Sequence, residues 1–136
     1  MTPCFGDTSY YLALLIPEDV NHHAARQLAR VLRRPIVTSE FILLEVSNHL
    51  SAGRSRLSLG PFLHSIRDDP QTNVVPLSSE LMNRAIVLYL ARQDKTWSLT
   101  DCTSFIIMAD RGIADALTAD RHFEQAGLSA LLRDEN

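Results

Sequence analysis

Long apolar runs, cysteines and lysines are scarce in this chain of 136 residues, and each scarcity excludes a class of protein. No apolar run approaches the ~20 residues that a membrane-spanning helix requires. Residues 1–12 also lack the basic start and the following apolar stretch of a secretory signal. We therefore expect no association with membranes and a cytoplasmic location.

The only two cysteines, Cys4 and Cys102, are too few for a disulfide framework and lack the spacing of a metal-binding pair. Both are expected to be buried thiols without a chemical role. Repeats and stretches rich in Gly, Ser or Pro are also absent, which argues against a solenoid and against intrinsic disorder. With 46% apolar residues, residues 1–136 are expected to form a single domain around one core.

Lysine occurs once, at Lys95, and the other members of the set of 13 basic residues are all arginines. The formal charge of −3 argues against a protein that coats DNA with a wholly basic surface. Arginine is the better bidentate partner for phosphate, but a GC-rich genome produces the same bias. One predicted helix presents Arg26, Arg30 and Arg33 on one face. That face either binds RNA or an acidic partner, or is simply solvated.

Short apolar or β-branched segments alternate with longer amphipathic segments along the whole chain. Strands are predicted within residues 4–9, 35–38, 73–76, 115–120 and 128–132. Helices are predicted at residues 10–16, from a cap at Asp19 or Asn21 to Leu32, from a cap at Ser39 to Gly53, and at residues 57–69, 78–92, 98–111 and 121–126. No hairpin dipeptide joins the strands, so they must pair in parallel through right-handed helical crossovers. The expected fold is α/β, a three-layer α/β/α sandwich with a short-stranded, mainly parallel five-stranded sheet.

Two of these helices carry much of the predicted core. The helix after Ser39 is apolar on almost all sides and is expected to be buried. In the helix at residues 78–92, the helical period is expected to turn five residues inward: Leu81, Met82, Ala85, Ile86 and Tyr89.

Aspartates close two of the predicted strands. Asp7 ends the first strand and Asp120 ends the fourth. The carboxyl ends of parallel strands share one edge of a sheet, where open α/β sheets bind their ligands. Each aspartate alone is also explained as the N-cap of the helix that follows it. Together they predict two acids on one edge.

Glu45 and Asp101 are two further acids in unusual settings. Glu45 lies within an apolar helix, and its neighbours three and four positions away include neither Arg nor Lys. Because an isolated buried carboxylate costs several kcal/mol, we expect Glu45 to face a polar cavity or a metal, unless it faces solvent. Asp101 fits a capping box with Ser98, yet its place in the first turn of a helix also brings it near the sheet edge.

The four carboxylates together predict a divalent metal ion. Within about 5 Å of each other, each like-charged pair would cost ~3 kcal/mol at an effective dielectric near 20. A marginally stable domain needs a cation to offset such a cost. A site of oxygen ligands without His or Cys suits Mg²⁺ or Mn²⁺, ions that also bind substrate phosphates. The chemistry implied is phosphodiester hydrolysis.

These residues resemble the PIN-domain family, in particular its small stand-alone ribonucleases, the VapC-type toxins of toxin–antitoxin pairs. The resemblance covers essentially the whole chain, and its last two segments are specific in combination. The matching pieces are Asp7-Thr8-Ser9, Glu45, Trp97-Ser98-Leu99-Thr100-Asp101-Cys102 with Ser104-Phe105, and Ala116-Leu117-Thr118-Ala119-Asp120-Arg121-His122-Phe123.

The resemblance implies an Mg²⁺- or Mn²⁺-dependent endoribonuclease that cleaves single-stranded or loop RNA. Thr8 and Thr118 would orient the carboxylates, or serve only as local caps. A homodimer and a small antitoxin protein that blocks the site are implied as well. The catalytic and metal-binding residues would be Asp7, Glu45, Asp101 and Asp120.

Two other families are poor matches, and one alternative function stays open. A receiver-like signalling domain would have paired acids after the first strand and a lysine late in the chain, whereas Lys95 precedes the wrong segment. A haloacid-dehalogenase-type phosphatase would have a second aspartate where Ser9 stands. The open alternative is a non-catalytic PIN-like binding or scaffold module whose acids hold a metal for folding. The histidines near these segments have no assigned role: His22, His23 and His122.

Overall fold

Short strands and longer helices alternate along the chain in the computed structural model, which describes residues 1–133. The strands are β1 (Cys4–Gly6), β2 (Ile36–Ser39), β3 (Thr72–Val75), β4 (Asp115–Leu117) and β5 (Ser129–Ala130). The helices are α1 (Thr8–Leu15), α2 (His22–Val31), α3 (Glu40–Leu50), α4 (Leu59–Asp68), α5 (Ser79–Ala91), α6 (Leu99–Arg111) and α7 (Arg121–Gln125). A 3₁₀ turn, Arg54–Ser58, precedes α4.

Capping residues set several of these boundaries. Ser39, Ser78 and Ser98 each accept a hydrogen bond from a backbone N–H in the first turn of the helix that follows. Asn21 is the N-cap of α2, although its side chain makes no capping hydrogen bond. Gly112 ends α6 with φ of 66°, a left-handed conformation that costs glycine little.

The sheet is parallel throughout, in the order β3-β2-β1-β4-β5. Because parallel crossovers are right-handed, the helices after β1 and β2 cover one face and those after β3 and β4 cover the other. Most helix contacts follow this division: α1 packs on α2 and α3, and α5 packs on α6, while α3 also contacts α6. The predicted α/β fold with a five-stranded parallel sheet is confirmed. The direction of winding reverses between β1 and β4, so the switch point lies at their carboxyl ends.

The core lies on both faces of the central strands. Phe5 of β1 and Leu117 of β4 are fully buried, as are Ile42 and Val46 of α3. Cys4 and Cys102 are free, buried thiols, as predicted. Within residues 1–133, no helix combines the length and the apolar character that crossing a membrane requires.

Some local predictions were wrong. The strand predicted at residues 115–120 ends at Leu117, and the first two residues of the helix predicted at residues 57–69 belong to the 3₁₀ turn. In α5, the side chains of Met82, Ile86 and Tyr89 are 38%, 37% and 48% exposed instead of buried. Because α5 packs chiefly against α6, it buries only a narrow stripe of its surface.

Candidate active site

Asp7 and Asp120 follow neighbouring strands at the switch point. β1 and β4 are hydrogen-bonded neighbours, so the residues after them share one edge of the sheet. Asp7 also caps α1 by accepting from the backbone N–H of Ser9, and Asp120 caps α7 by accepting from that of His122. Asp7 and Asp120 are therefore both helix N-caps and residues at the edge of the sheet.

Hydroxyl groups tie Asp7 to the segment after β4. Its Oδ2 accepts a hydrogen bond from the Thr118 hydroxyl at 2.7 Å and one from the Ser9 hydroxyl at 3.1 Å. The Thr118 oxygen in turn accepts from the backbone N–H of Asp120 at 3.0 Å. Thr118 thus connects the two aspartates, a position that suits its predicted supporting role.

Asp101 lies in a capping box at the start of α6. Its backbone N–H donates to the Ser98 hydroxyl oxygen at 3.0 Å, and its Oδ2 accepts from the Ser98 backbone N–H at 3.0 Å. The same Oδ2 lies 2.9 Å from Nδ1 of His122, and that nitrogen is 3.4 Å from Oδ1 of Asp120. His122 therefore links an acid of α6 to an acid that follows β4.

Glu45 reaches the same region from α3. The residue is half-buried, and its Oε1 accepts a hydrogen bond from the hydroxyl of Thr8, the first residue of α1. Within residues 1–133, Glu45 forms no ion pair with Lys, Arg or His. Its surroundings are thus the polar kind that the sequence predicts.

All four predicted acids line one cavity of about 280 Å³. Within residues 1–133, the group of three or more possible ligands with atoms within 4.8 Å of one another contains Asp101 and Asp120, together with His122, but neither Asp7 nor Glu45. Thr118 is fully buried and supports Asp7 without lining this cavity. The arginines of α2 do not line it either. The polar lining residues are Asp7, Thr8, Ser9, Glu45, His49, Ser98, Asp101, Asp120 and His122.

The hydrogen bonds of each carboxylate gather on one of its two oxygens. The bonded atom is Oδ2 in Asp7 and Asp101, Oδ1 in Asp120 and Oε1 in Glu45. In the part of the chain that the structure describes, the second oxygen of each acid is thus left for another ligand. Mg²⁺ and Mn²⁺ take carboxylate oxygens, so these residues fit such an ion.

Burial opposes the negative charge of two of the acids. It raises the pKa of Asp7 from 3.8 to about 6, against the lowering effect of the hydrogen bond from Thr118. The nearby charge of Asp101 raises the pKa of Asp7 further. Burial also raises the pKa of Asp101, although the Ser98 amide and His122 oppose that shift. A bound cation would favour the ionised form of both carboxyls.

The sequence analysis assigned no role in the site to His122 or Ser9, both of which line the cavity. His122 forms the tightest group of possible ligands with Asp101 and Asp120, one atom from each lying within 4.8 Å of the others. Ser9 joins Asp7 to the backbone N–H of Ala119, which donates to its hydroxyl at 3.0 Å. The available signal was the same for both residues: each stands two positions after an aspartate at the sheet edge.

Known proteins resemble the chain over most of its length. The 23S rRNA-specific endonuclease VapC20 of Mycobacterium tuberculosis, from two strains, is 27% identical to it over 126 residues, which are 90% of this chain and 93% of the relative. The crystal structure of Mycobacterium tuberculosis VapC20, described as a sarcin–ricin loop cleaving toxin, superposes with a TM-score of 0.84. It has 26% identity and covers 92% of this chain and 95% of that one.

The match to a family model agrees with this likeness and with the geometry of the sheet edge. The model for the PIN domain matches residues 4–128, which include all four acids of the cavity. The chain belongs to the PIN domain family.

Proposed function

We propose that this PIN domain is a metal-dependent endoribonuclease that cleaves single-stranded or loop RNA, and that it is the toxin of a type II toxin–antitoxin pair. One observation carries the proposal: four carboxylates from four separate segments line a single cavity at the switch point of the sheet. Asp7, Glu45, Asp101 and Asp120 are the proposed catalytic and metal-binding residues. Residues 1–136 are proposed to form a single domain.

Phosphodiester hydrolysis requires a positive charge at a fixed position beside the phosphate. A bound Mg²⁺ or Mn²⁺ would polarise the phosphodiester and lower the pKa of an attacking water. The four acids would hold that charge and need not transfer protons themselves. Thr8, Ser98 and Thr118 hold three of the carboxylates through the hydrogen bonds described above. This support limits the reorganisation that the site needs during the reaction.

The relative supports RNA as the substrate class. VapC20 is named as a 23S rRNA-specific endonuclease and as a sarcin–ricin loop cleaving toxin. Proteins recognise RNA loops through splayed bases and backbone shape, and we extend only this class of substrate to the present chain. The cytoplasm is the proposed location.

An antitoxin and a second copy of the chain are the proposed protein partners. Arg26 and Arg30 are exposed on α2, whereas Arg33 is exposed but lies beyond the end of that helix at Val31, so the predicted helix face holds only two of the three arginines. These arginines would contact either RNA or acidic residues of the antitoxin. The likeness to VapC20, which is described as a toxin, supports the antitoxin as a partner.

Cleavage of a labelled RNA hairpin with a sarcin–ricin-type loop tests the proposal. We expect cleavage with Mg²⁺ or Mn²⁺ and none in excess EDTA. Asp101→Asn keeps a side-chain oxygen that can accept from the Ser98 N–H, so the helix cap survives. Losing an outer partner of a metal ligand costs roughly 10–100-fold in activity. Because Asp101 is itself a proposed ligand, the cleavage rate of Asp101→Asn should fall by more than this.

Asp110→Asn is the matched control for this variant. Asp110 lies on the same helix but is exposed and pairs with Arg84 at 2.6 Å. It should cleave at the wild-type rate. Full activity of Asp101→Asn, or cleavage in EDTA, would overturn the nuclease mechanism.

The scaffold alternative draws on the same geometry, because three of the acids also serve as helix caps or in a capping box. Stabilisation by metal without any cleavage would favour that alternative.

A further inference from the structure

We propose that His122 is a nitrogen ligand of the metal site and that it gives this chain a preference for Mn²⁺ and Co²⁺ over Mg²⁺. The inference rests on the proposed function, because it concerns the same site. It adds a ligand and a cation preference that the four acids do not predict.

The side chain of His122 faces two carboxylates at once. Its Nδ1 lies 2.9 Å from Oδ2 of Asp101 and 3.4 Å from Oδ1 of Asp120. An octahedral ion with metal–ligand distances of about 2.1 Å places neighbouring ligands about 3 Å apart. The two separations are therefore close to those between adjacent ligands of one ion. Each of these two oxygens accepts one backbone N–H, from Ser98 or His122, and keeps a second lone pair for the ion.

The second ring nitrogen has a partner of the kind that metal-bound histidines use. Nε2 of His122 lies 3.3 Å from the hydroxyl oxygen of Thr96. If this N–H donates to Thr96, the neutral ring presents the lone pair of Nδ1 to the two acids. A metal-ligating histidine usually donates its other N–H to an outer partner, which fixes the ring. Thr96 would be that partner.

Packing between α6 and α7 holds the three ligand atoms at fixed positions. Phe123, next to His122, is fully buried, and its ring contacts that of Phe105 at 5.0 Å between centroids. Phe105 belongs to α6, the helix that also carries Asp101. This contact fixes α7 against α6, so the site need not assemble from mobile segments.

The nitrogen donor changes which ion the site prefers. Mg²⁺ is bound in proteins through oxygen ligands, whereas imidazole suits first-row transition ions. Affinity for a site with nitrogen donors rises from Mn²⁺ to Co²⁺. If His122 only held the Asp101 carboxylate by a hydrogen bond, its loss would weaken the binding of all three ions alike.

Calorimetric titration of the full chain with Mg²⁺, Mn²⁺ and Co²⁺ distinguishes the two roles. The key variant is His122→Asn, whose amide N–H can still donate to Asp101 but supplies no imidazole. Its affinity for Mn²⁺ and Co²⁺ should fall at least about tenfold, and that for Mg²⁺ less than about threefold. Pulsed electron paramagnetic resonance of bound Mn²⁺ should show a nitrogen coupling in the wild type and none in the variant.

His64→Asn is the matched control. His64 on α4 makes a similar contact, 2.9 Å from its Nε2 to Asp68, but its side chain is 80% exposed and it does not line the cavity. All three affinities should be unchanged in this variant. An equal loss for the three ions in His122→Asn, no loss for any of them, or a wild type without nitrogen coupling would overturn the inference.

The titrations contain no RNA, so the two proposals fail separately. A wild type that binds Mn²⁺ through nitrogen but cleaves no RNA would overturn the proposed function alone. A wild type that cleaves RNA but shows no nitrogen coupling would overturn the role of His122 alone.

Discussion

The ionised form of Asp7 is unfavourable because the residue is buried. The residue is 5% exposed, and burial raises its pKa to about 6 in spite of the hydroxyl groups that donate to it. A buried acid with a raised pKa is a common property of functional sites. In this chain, the ionised Asp7 carboxylate lowers the free energy of unfolding of the metal-free protein.

This cost makes the stability of the metal-free protein depend on pH. Well below pH 4 the Asp7 carboxyl is protonated in both the folded and the unfolded states, and the cost is absent. Between pH 4 and pH 6 the unfolded chain ionises first, so the free energy of unfolding falls as the pH rises. The shift from 3.8 to about 6 corresponds to roughly 3 kcal/mol.

Denaturant unfolding in EDTA, for the wild type and Asp7→Asn at several pH values, measures this effect. Because other groups titrate in both proteins, the useful quantity is the difference between their unfolding free energies. Asp7→Asn should gain stability relative to the wild type as the pH rises from 4 to 7. A difference that does not change over this range would contradict the raised pKa.

At the scale of elements, the first turn of α6 has two roles. Ser98 and Asp101 form the capping box that starts the helix, and Asp101 at the same time lines the cavity. The cap and the site therefore depend on the same few atoms. In the sequence these two explanations of Asp101 compete, whereas in the structure they are compatible.

Removing the Ser98 hydroxyl should weaken this cap. Ser98→Ala leaves the Asp101 backbone N–H without its acceptor at 3.0 Å, and the free energy of unfolding should fall by about 1 kcal/mol. Ser78→Ala removes the N-cap of α5, and it should lower the free energy of unfolding by a similar amount. Ser79 makes no side-chain hydrogen bond within residues 1–133, so Ser79→Ala should be close to neutral. A Ser98→Ala variant as stable as Ser79→Ala would show that the cap contributes little.

The buried face of α5 is narrower than the helical period predicts. Its apolar residues occupy more of the circumference than one contact surface can cover, so the helical period alone does not select among them. Packing against α6 buries Leu81 and Ala85 and leaves Val87 and Leu90 69% and 60% exposed. The buried stripe depends on the neighbouring helix.

At the scale of the whole molecule, the reversal of winding between β1 and β4 concentrates negative charge at one point. Asp7 follows β1, Asp120 follows β4, the first turn of α6 adds Asp101, and α3 adds Glu45. Like charges this close oppose folding unless a cation offsets them. The stability of the whole domain should therefore respond to metal.

Thermal unfolding with and without Mn²⁺ measures this response. A cation that binds only the folded state adds about 2.7 kcal/mol at 100 times its dissociation constant, so the melting temperature should rise. The rise should be the same in Asp110→Asn, whose carboxylate lies outside the cavity, and much smaller in Asp101→Asn. A melting temperature unaffected by Mn²⁺ in the wild type would argue against a metal site in this cavity.

The sequence alone determined the alternation of strands and helices, the parallel sheet and the acids expected at its edge. These features follow from short-range patterns, namely β-branched runs, caps such as Ser39 and Ser98, and aspartates directly after strands. The place of Glu45 followed from the cost of an unpaired carboxylate on an apolar helix. The catalytic roles of these acids stay predictions.

Only the tertiary structure decided which side chains meet across the cavity. Asp101 and His122 are 21 residues apart in the chain, and Asp7 and Thr118 are 111 apart, yet each pair is in hydrogen-bond contact. Such meetings depend on how α6, α7 and the two central strands pack, which no local pattern encodes. For the same reason the sequence did not distinguish His122 from the other histidines, because its chemistry depends on two carboxylates that the fold brings to one nitrogen.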